Sequence, residues 1–258
     1  MTNLLKKLLQ EKKPVFGAQL RFGSAAIAEL FAVAGFDCII LDGEHAPQSP
    51  EGIQHQLQAA ACTQTTAIVR LGKNDPDLIR LYLDMGAMGV LLPFINTAED
   101  AKLGVSACRY PPRGIRGWGP ARASRYGFDS QNFAERSNEQ IMFIPMIETA
   151  EAIENIDSIL AVDGIDTFIL GPVDLTISLG IPFEFKNPKF IAAVDKVLKA
   201  AKRAGVSPGG AVYEDFFEKA SIERQIQLGF QFLLVGGDEW ILAHGCKQLL
   251  NNISNFRK

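Results

Sequence analysis

Residues 141–171 read IMFIPMIETAEAIENIDSILAVDGIDTFILG. An apolar run, Ile141–Glu148, stops at Thr149, which can cap the T-A-E-A stretch behind it. A second apolar run, Ile165–Gly171, follows. Strand, helix and strand in about 30 residues make a βαβ unit. Its parallel strands are buried on both faces and so read as unbroken apolar runs rather than as alternation.

The same rhythm extends outward in both directions. Strands are expected at Val15–Leu20, Cys38–Asp42, Thr66–Leu71, Gly89–Ile95, Ser207–Tyr213 and Phe230–Gly236, which makes eight with the two above. Between them, helices have local start and stop signals. Ser24 caps a helix ending at Gly35, Asp75-Pro76 opens one ending at Gly86, and Thr97 begins another. Asn187-Pro188 starts the long one ending at Gly205, and Ser221 the one ending at Gly229. Eight alternations in 258 residues predict an α/β fold, a (β/α)8 TIM barrel built as a single domain over residues 1–258. An open doubly wound sheet is the alternative. It lacks its fingerprint here: no GxGxxG follows the first strand, and GIRGWG at Gly114–Gly119 has the wrong order and no strand before it. Residues 109–140 break the rhythm with a long excursion rich in Arg, Pro and Gly. Its arginines read either as an anion-binding lid or as partners of surface carboxylates.

Composition narrows the function classes. The chain is 47% hydrophobic with a formal charge of −3, a balance without the basic footprint of a nucleic-acid binder. No apolar run approaches the roughly 20 residues that span a bilayer. The amphipathic start, MTNLLKKLLQEKKP, lacks a signal peptide's apolar core. Cys38, Cys62, Cys108 and Cys246 are dispersed without a CxxC, which fits free thiols in a reducing cytoplasm.

In a barrel the chemistry gathers where strands end. Glu148 and Asp174 stand at the ends of adjacent strands, so their carboxylates can converge on a hard cation such as Mg²⁺ or Mn²⁺; equally, each can cap the helix behind it. Arg70 emerges from an apolar strand and needs an anion, either a structural carboxylate or that of a substrate. His45 follows Asp42 by three residues: an oriented imidazole for acid/base work, or a plain loop residue. Glu44 is a third carboxylate without an evident role. Gly171 and Val173 either turn N–H groups toward an anion or form a tight strand-to-helix turn.

Taken together, LDGEHAPQS (41–49), VRLGKNDPDLIRLYLDMGAMGVLLPFINTAEDA (69–101), RYPPRGIRG (109–117), IPMIETAEAIENIDSILAVDGIDTFILGPVDLTISLG (144–180) and FLLVGGD (232–238) resemble the HpcH/HpaI family of class II pyruvate aldolases. That family includes 4-hydroxy-2-oxoheptanedioate aldolase and 2-keto-3-deoxy sugar-acid aldolases. The resemblance implies a TIM barrel with an N-terminal helix and a C-terminal helix exchanged within a dimer, three dimers forming a hexamer. It implies a divalent metal, Mg²⁺, Mn²⁺ or Co²⁺, on Glu148 and Asp174. Arg70 then holds pyruvate, the backbone at Gly171 and Val173 holds the oxo acid, and His45 beside Asp42 is the acid/base. Asp84 matches an acidic residue that approaches a neighbouring subunit's histidine, and the excursion matches a segment that crosses the subunit interface. The partners implied are a small oxo acid and an aldehyde. Two positions depart from the family pattern, Met146 where Gln is common and Gln19 where an aromatic is common, with Phe22 close by. A citrate-synthase-like or other carbon–carbon lyase of the same superfamily stays open, as does a non-catalytic keto-acid-binding protein. Lys73 is the one candidate for Schiff-base chemistry.

Overall fold

All eight expected strands form. In the computed structural model, which describes residues 2–213 and 217–254, they are β1 (Val15–Leu20), β2 (Cys38–Asp42), β3 (Thr66–Arg70), β4 (Gly89–Leu92), β5 (Met142–Ile147), β6 (Thr167–Leu170), β7 (Ser207–Ala211) and β8 (Phe232–Gly237). They close in chain order into a parallel barrel, β8 pairing with β1. The open-sheet alternative is thereby removed. β4 ends earlier than Ile95 because Pro93 has no N–H to continue the ladder and Phe94 turns to φ +52.

The helices are α1 (Leu4–Gln10), α2 (Ala25–Ala34), α3 (Pro50–Ala60), α4 (Pro76–Asp84), α5 (Ala98–Ala107), α6 (Ser130–Gln140), α7 (Ala150–Glu154), α8 (Ile156–Leu160), α9 (Pro172–Ser178), α10 (Pro188–Ala204), α11 (Lys219–Leu228) and α12 (Asp238–Ile253). Hydroxyls of Ser24, Ser49, Thr97 and Thr149 accept from the N–H three residues on, and the side chains of Asp75 and Asn187 cap α4 and α10. One start signal is corrected. Ser221 does not open α11, which begins at Lys219; Ser221 lies buried inside it. The last third of the 109–140 excursion is a helix, α6.

Strand parity divides the core in two. Inward positions, among them Val15, Cys38, Ile40, Ile68, Met142, Ile144, Ile169 and Phe232, fill the barrel, and Leu5 and Leu9 of α1 plug its N-terminal end. Outward positions such as Ile39, Leu41, Val69 and Phe143 pack against the helices. Continuing the inward series two residues at a time leads from Ile40 to Asp42, from Ile68 to Arg70 and from Met146 to Glu148. Register holds them level: Asp42 pairs with Arg70 across β2 and β3. The apolar interior therefore ends in a polar layer at the strands' C-terminal ends.

The last helix is different from the others. Of α12's residues only Asp238 is buried, while Trp240, Ile241, Leu242, Leu249, Leu250 and Ile253 are exposed. Among the described residues, no helix is long and apolar enough to cross a membrane.

Candidate active site at the strand ends

Asp42 is the hub of the polar layer. Its carboxylate is wholly buried and accepts from the backbone N–H groups of Glu44 and His45 at 3.0 Å each, from Arg21 Nε at 3.0 Å and from Gln19 Nε2. Burial alone would raise its pKa, but the N–H of His45, the Arg70 guanidinium, and the N–H groups of Glu44 and Gln19 together hold it below the ordinary carboxylate range. The expected Asp42–imidazole bond is not formed: Asp42 fixes the backbone that carries His45 rather than its ring. The ring's Nε2 lies 3.5 Å from Glu44 Oε2, and the imidazole is half exposed at the barrel mouth.

Arg70 is 5% exposed. It pairs with Glu44 through Nη2 and lies 3.8 Å from Asp42 through Nη1. Of the two readings open to Arg70, structural carboxylates thus supply part of its counter-charge. Its Nε is buried with no hydrogen-bond partner among the described residues, so the guanidinium retains an unused donor. Glu44, without a role from the sequence, is the group that joins Arg70 to His45. Burial raises its pKa against the pull of Arg70 and His45.

Glu148 is 1% exposed and accepts from the Phe94 N–H at 2.8 Å. The positive φ of Phe94 is what turns that N–H back over the barrel. Burial pushes the Glu148 pKa up to about 7; the Phe94 N–H lowers it, Asp174 raises it, Arg70 lowers it and Glu44 raises it. Asp174 lies in the first turn of α9, exposed. Neither carboxylate caps a helix: Thr149 caps α7, and the N-cap of α9 is Gly171. Two like charges, one of them desolvated, make an electrostatic sink for a cation. No group of three or more His, Cys, Asp or Glu able to cage a metal occurs among the described residues. This donor set suits a hard divalent ion that completes its shell with water and ligand oxygens.

Gly171 departs from its expected role. Its N–H donates to the Ile147 carbonyl at 3.0 Å and is not available to an anion. It is glycine for another reason: a Cβ there would lie 2.9 Å from both Cβ and Oε2 of Glu148. Val173, one residue into the first turn, keeps an N–H for which an α-helix provides no acceptor. Met146 contributes to the barrel interior below Glu148.

Asp84 does not join these residues within one chain. It ends α4 at the barrel's opposite end and binds Arg116 Nη2 at 2.7 Å. Two of the excursion's arginines, Arg116 and Arg122, hold it to α3 and α4 rather than reaching over the strand ends. Arg122 donates to the carbonyls of Met85 and Leu57 at 2.8 and 3.1 Å, and Arg116 stacks 4.6 Å over the Tyr110 ring.

Three participants had little or no sequence signal: Glu44, the Phe94 N–H and Arg21. Arg21 links Asp42 to Glu239 of α12, its Nη1 2.5 Å from that carboxylate, and Asp238 accepts from the N–H groups of Arg21 and Phe22 at 2.9 and 3.0 Å. The start of the exposed helix is thus tied to the carboxylate hub.

Known proteins share this fold and much of this sequence. A family model described as HpcH/HpaI aldolase/citrate lyase matches residues 20–244. The 4-hydroxy-2-oxo-heptane-1,7-dioate aldolase of Salmonella heidelberg (strain SL476) is 38% identical over 251 residues, covering 96% of this chain and 94% of its own. A solved HpcH/HpaI aldolase/citrate lyase family protein from Burkholderia cenocepacia J2315 superposes with a TM-score of 0.92 at 31% identity, over 98% of this chain and all of the other. The citrate synthase SbnG superposes with a TM-score of 0.87 at 27% identity, over the full length of both.

Proposed function

The chain belongs to the HpcH/HpaI aldolase/citrate lyase family, and from that premise we propose that it cleaves, and in reverse makes, a 4-hydroxy-2-oxo acid, with pyruvate and an aldehyde as the two halves. The observation that carries this reading is the pairing of a desolvated carboxylate, Glu148, with Asp174 at the mouth of a barrel that also holds Arg70.

Glu148 and Asp174 would hold Mg²⁺, Mn²⁺ or Co²⁺. When bound, such an ion supplies Lewis-acid polarisation of the oxo acid's keto and carboxylate oxygens. The chain's own groups do the rest. Arg70 offers its unused N–H and its positive charge where negative charge builds on the three-carbon half. The Val173 N–H is the remaining backbone donor for the oxo acid. In the cleavage direction His45 takes the proton of the 4-hydroxyl, and Asp42 keeps its loop in place through the backbone. Glu44 keeps Arg70 beside the imidazole. Asp84 enters only through a second subunit, consistent with its distance from these groups within one chain. A homo-oligomer built through α12, as in the exchanged dimers of the family, accords with that helix's bare apolar side. Cytoplasmic residence accords with the four free thiols.

The test is cleavage of 4-hydroxy-2-oxoheptanedioate, with pyruvate read by a coupled dehydrogenase. Release that needs Mg²⁺ or Mn²⁺ and is lost in Glu148→Gln supports the proposal; release unaffected by EDTA contradicts it. One second reading has an observation behind it. Full-length likeness to a citrate synthase, together with the departures at Met146 below Glu148 and at Gln19 on Asp42, favours a metal-independent condensation forming a citrate-like acid. Citrate formation that survives EDTA would favour it over the aldolase.

A further inference from the structure

The barrel's N-terminal end, away from the site, holds a second concentration of charge. A cleft of about 530 Å³ opens there between α1, the segment entering β6 and the start of the excursion. Four cations line it, Lys6, Lys7, Arg109 and Arg113, against the carboxylates of Glu139, Asp163 and Asp166. Most of these charges are already matched. Lys6 lies 2.9 Å from Asp166, Arg113 pairs with Glu139, and Lys7 is exposed with Glu11 at 3.9 Å.

Arg109 is left over. It is 2% exposed, and its Nε and Nη1 have no hydrogen-bond partner among the described residues. None of their carboxylates pairs with it. Its Nη2 lies against Gly164, on the cleft wall, 3.9 Å from where a Cβ would stand. A desolvated guanidinium without a counter-charge is strongly unfavourable. An oxyanion in the cleft beside Nη2 relieves that cost, because a charge-assisted N–H···O bond and the opposite charge replace the lost water.

We propose that this cleft is a binding site for a phosphate-sized oxyanion held by Arg109, with Lys7 at its rim, separate from the site at the strand ends. Asp163 is the one carboxylate in the cleft without a cation at ion-pair distance among the described residues, so its negative charge opposes an anion bound there. The anion joins α1 to the excursion, and α1 is clamped to the barrel floor by Asn3, whose side chain donates to the carbonyls of Met88 and Gln140 at 3.1 and 2.8 Å. Its binding therefore fastens the cover over the barrel's interior and raises the melting temperature by linkage.

The experiment is calorimetric titration of inorganic phosphate, against chloride at equal ionic strength, into the magnesium-loaded enzyme and its variants. The wild type is expected to show one saturable phosphate event per chain. Arg109→Gln loses it, Asp163→Asn tightens it severalfold, and Arg70→Lys at the strand ends leaves it unchanged. Should Arg109→Gln not fold, Lys7→Gln, on the exposed rim, is the substitute and weakens binding. Absence of saturable binding overturns the proposal. So does binding that is lost in Arg70→Lys and kept in Arg109→Gln, which puts the anion at the strand ends. Asp163→Asn that destabilises the protein and is not rescued by phosphate assigns Asp163 as the internal partner of Arg109, and overturns it too.

Discussion

Glu148 is 1% exposed, and burial, with Asp174 adding to it, moves its pKa from an ordinary 4.5 to about 7. The sign follows directly. Between those values the metal-free folded state binds more protons than the unfolded chain, so stability falls as pH rises through the window. The full penalty, on the order of 3 kcal/mol, is present above it. Glu148→Gln removes the titration, and urea melts at about pH 5 and about pH 8 are expected to differ less in the variant than in the wild type. The same proton competes with a cation, so metal affinity should weaken as pH falls through about 7. Gly171→Ala places a Cβ against Glu148 Oε2 and is expected to cost about tenfold or more in Mn²⁺ affinity, read by calorimetry, with the barrel intact. Arg70 needs a milder substitution. Arg70→Ala strands Asp42 and Glu44 in a buried layer at a cost of about 3–5 kcal/mol. Arg70→Lys keeps the charge and loses the guanidinium fork, and it should raise KM for the oxo acid with the fold retained. Of these features, the sequence identifies Arg70, Glu148 and Asp174 because charge at the end of an apolar run is conspicuous. It does not reveal why residue 171 is glycine, since that depends on a neighbour 23 residues away in the chain meeting it in space.

Elements were legible to the degree that they carried their own signal. Most of the barrel strands are apolar on both faces and stand out as runs; β7, SPGGA, is the exception and is carried by the spacing of its neighbours. The helices capped by Ser24, Asp75, Thr97, Thr149 and Asn187 were also found, whereas α3, capped by Ser49, was not. α6 was not, because SQNFAERSNEQ is polar nearly all round and Asp129 makes no capping bond; Phe133 and Ser137 are the only residues it buries. α11 was misplaced for a related reason. Its N-cap, Glu218, makes no side-chain bond, so Ser221 offered the stronger sequence signal. Close element packing, too, is invisible in one dimension. A Cβ at Gly104 would fall on the Phe143 ring, where α5 lies directly on β5. Gly104→Ala should cost about 1–3 kcal/mol by overpacking, measured by urea denaturation, despite alanine's better helix propensity.

At the scale of the whole molecule, the barrel is closed but its last helix exposes most of its apolar side chains. α12 buries only Asp238, whereas that residue and Glu239 are bound, through the 21–22 backbone and Arg21, to the Asp42 hub. Covering α12 with a second copy would thus fix the site as well as the surface. Leu249→Glu, on the exposed side of α12, is expected to shift the protein to a smaller species by light scattering and to lower activity. A monomeric wild type of full activity would contradict that expectation. The central claim, metal-dependent enolate chemistry on pyruvate, is tested most directly by incubating the protein with pyruvate in D₂O and following the methyl signal by NMR, with and without EDTA. The account predicts loss of the methyl protons that requires Mg²⁺ or Mn²⁺ and is abolished in Glu148→Gln. Exchange indifferent to EDTA, or no exchange with any divalent metal, would contradict it.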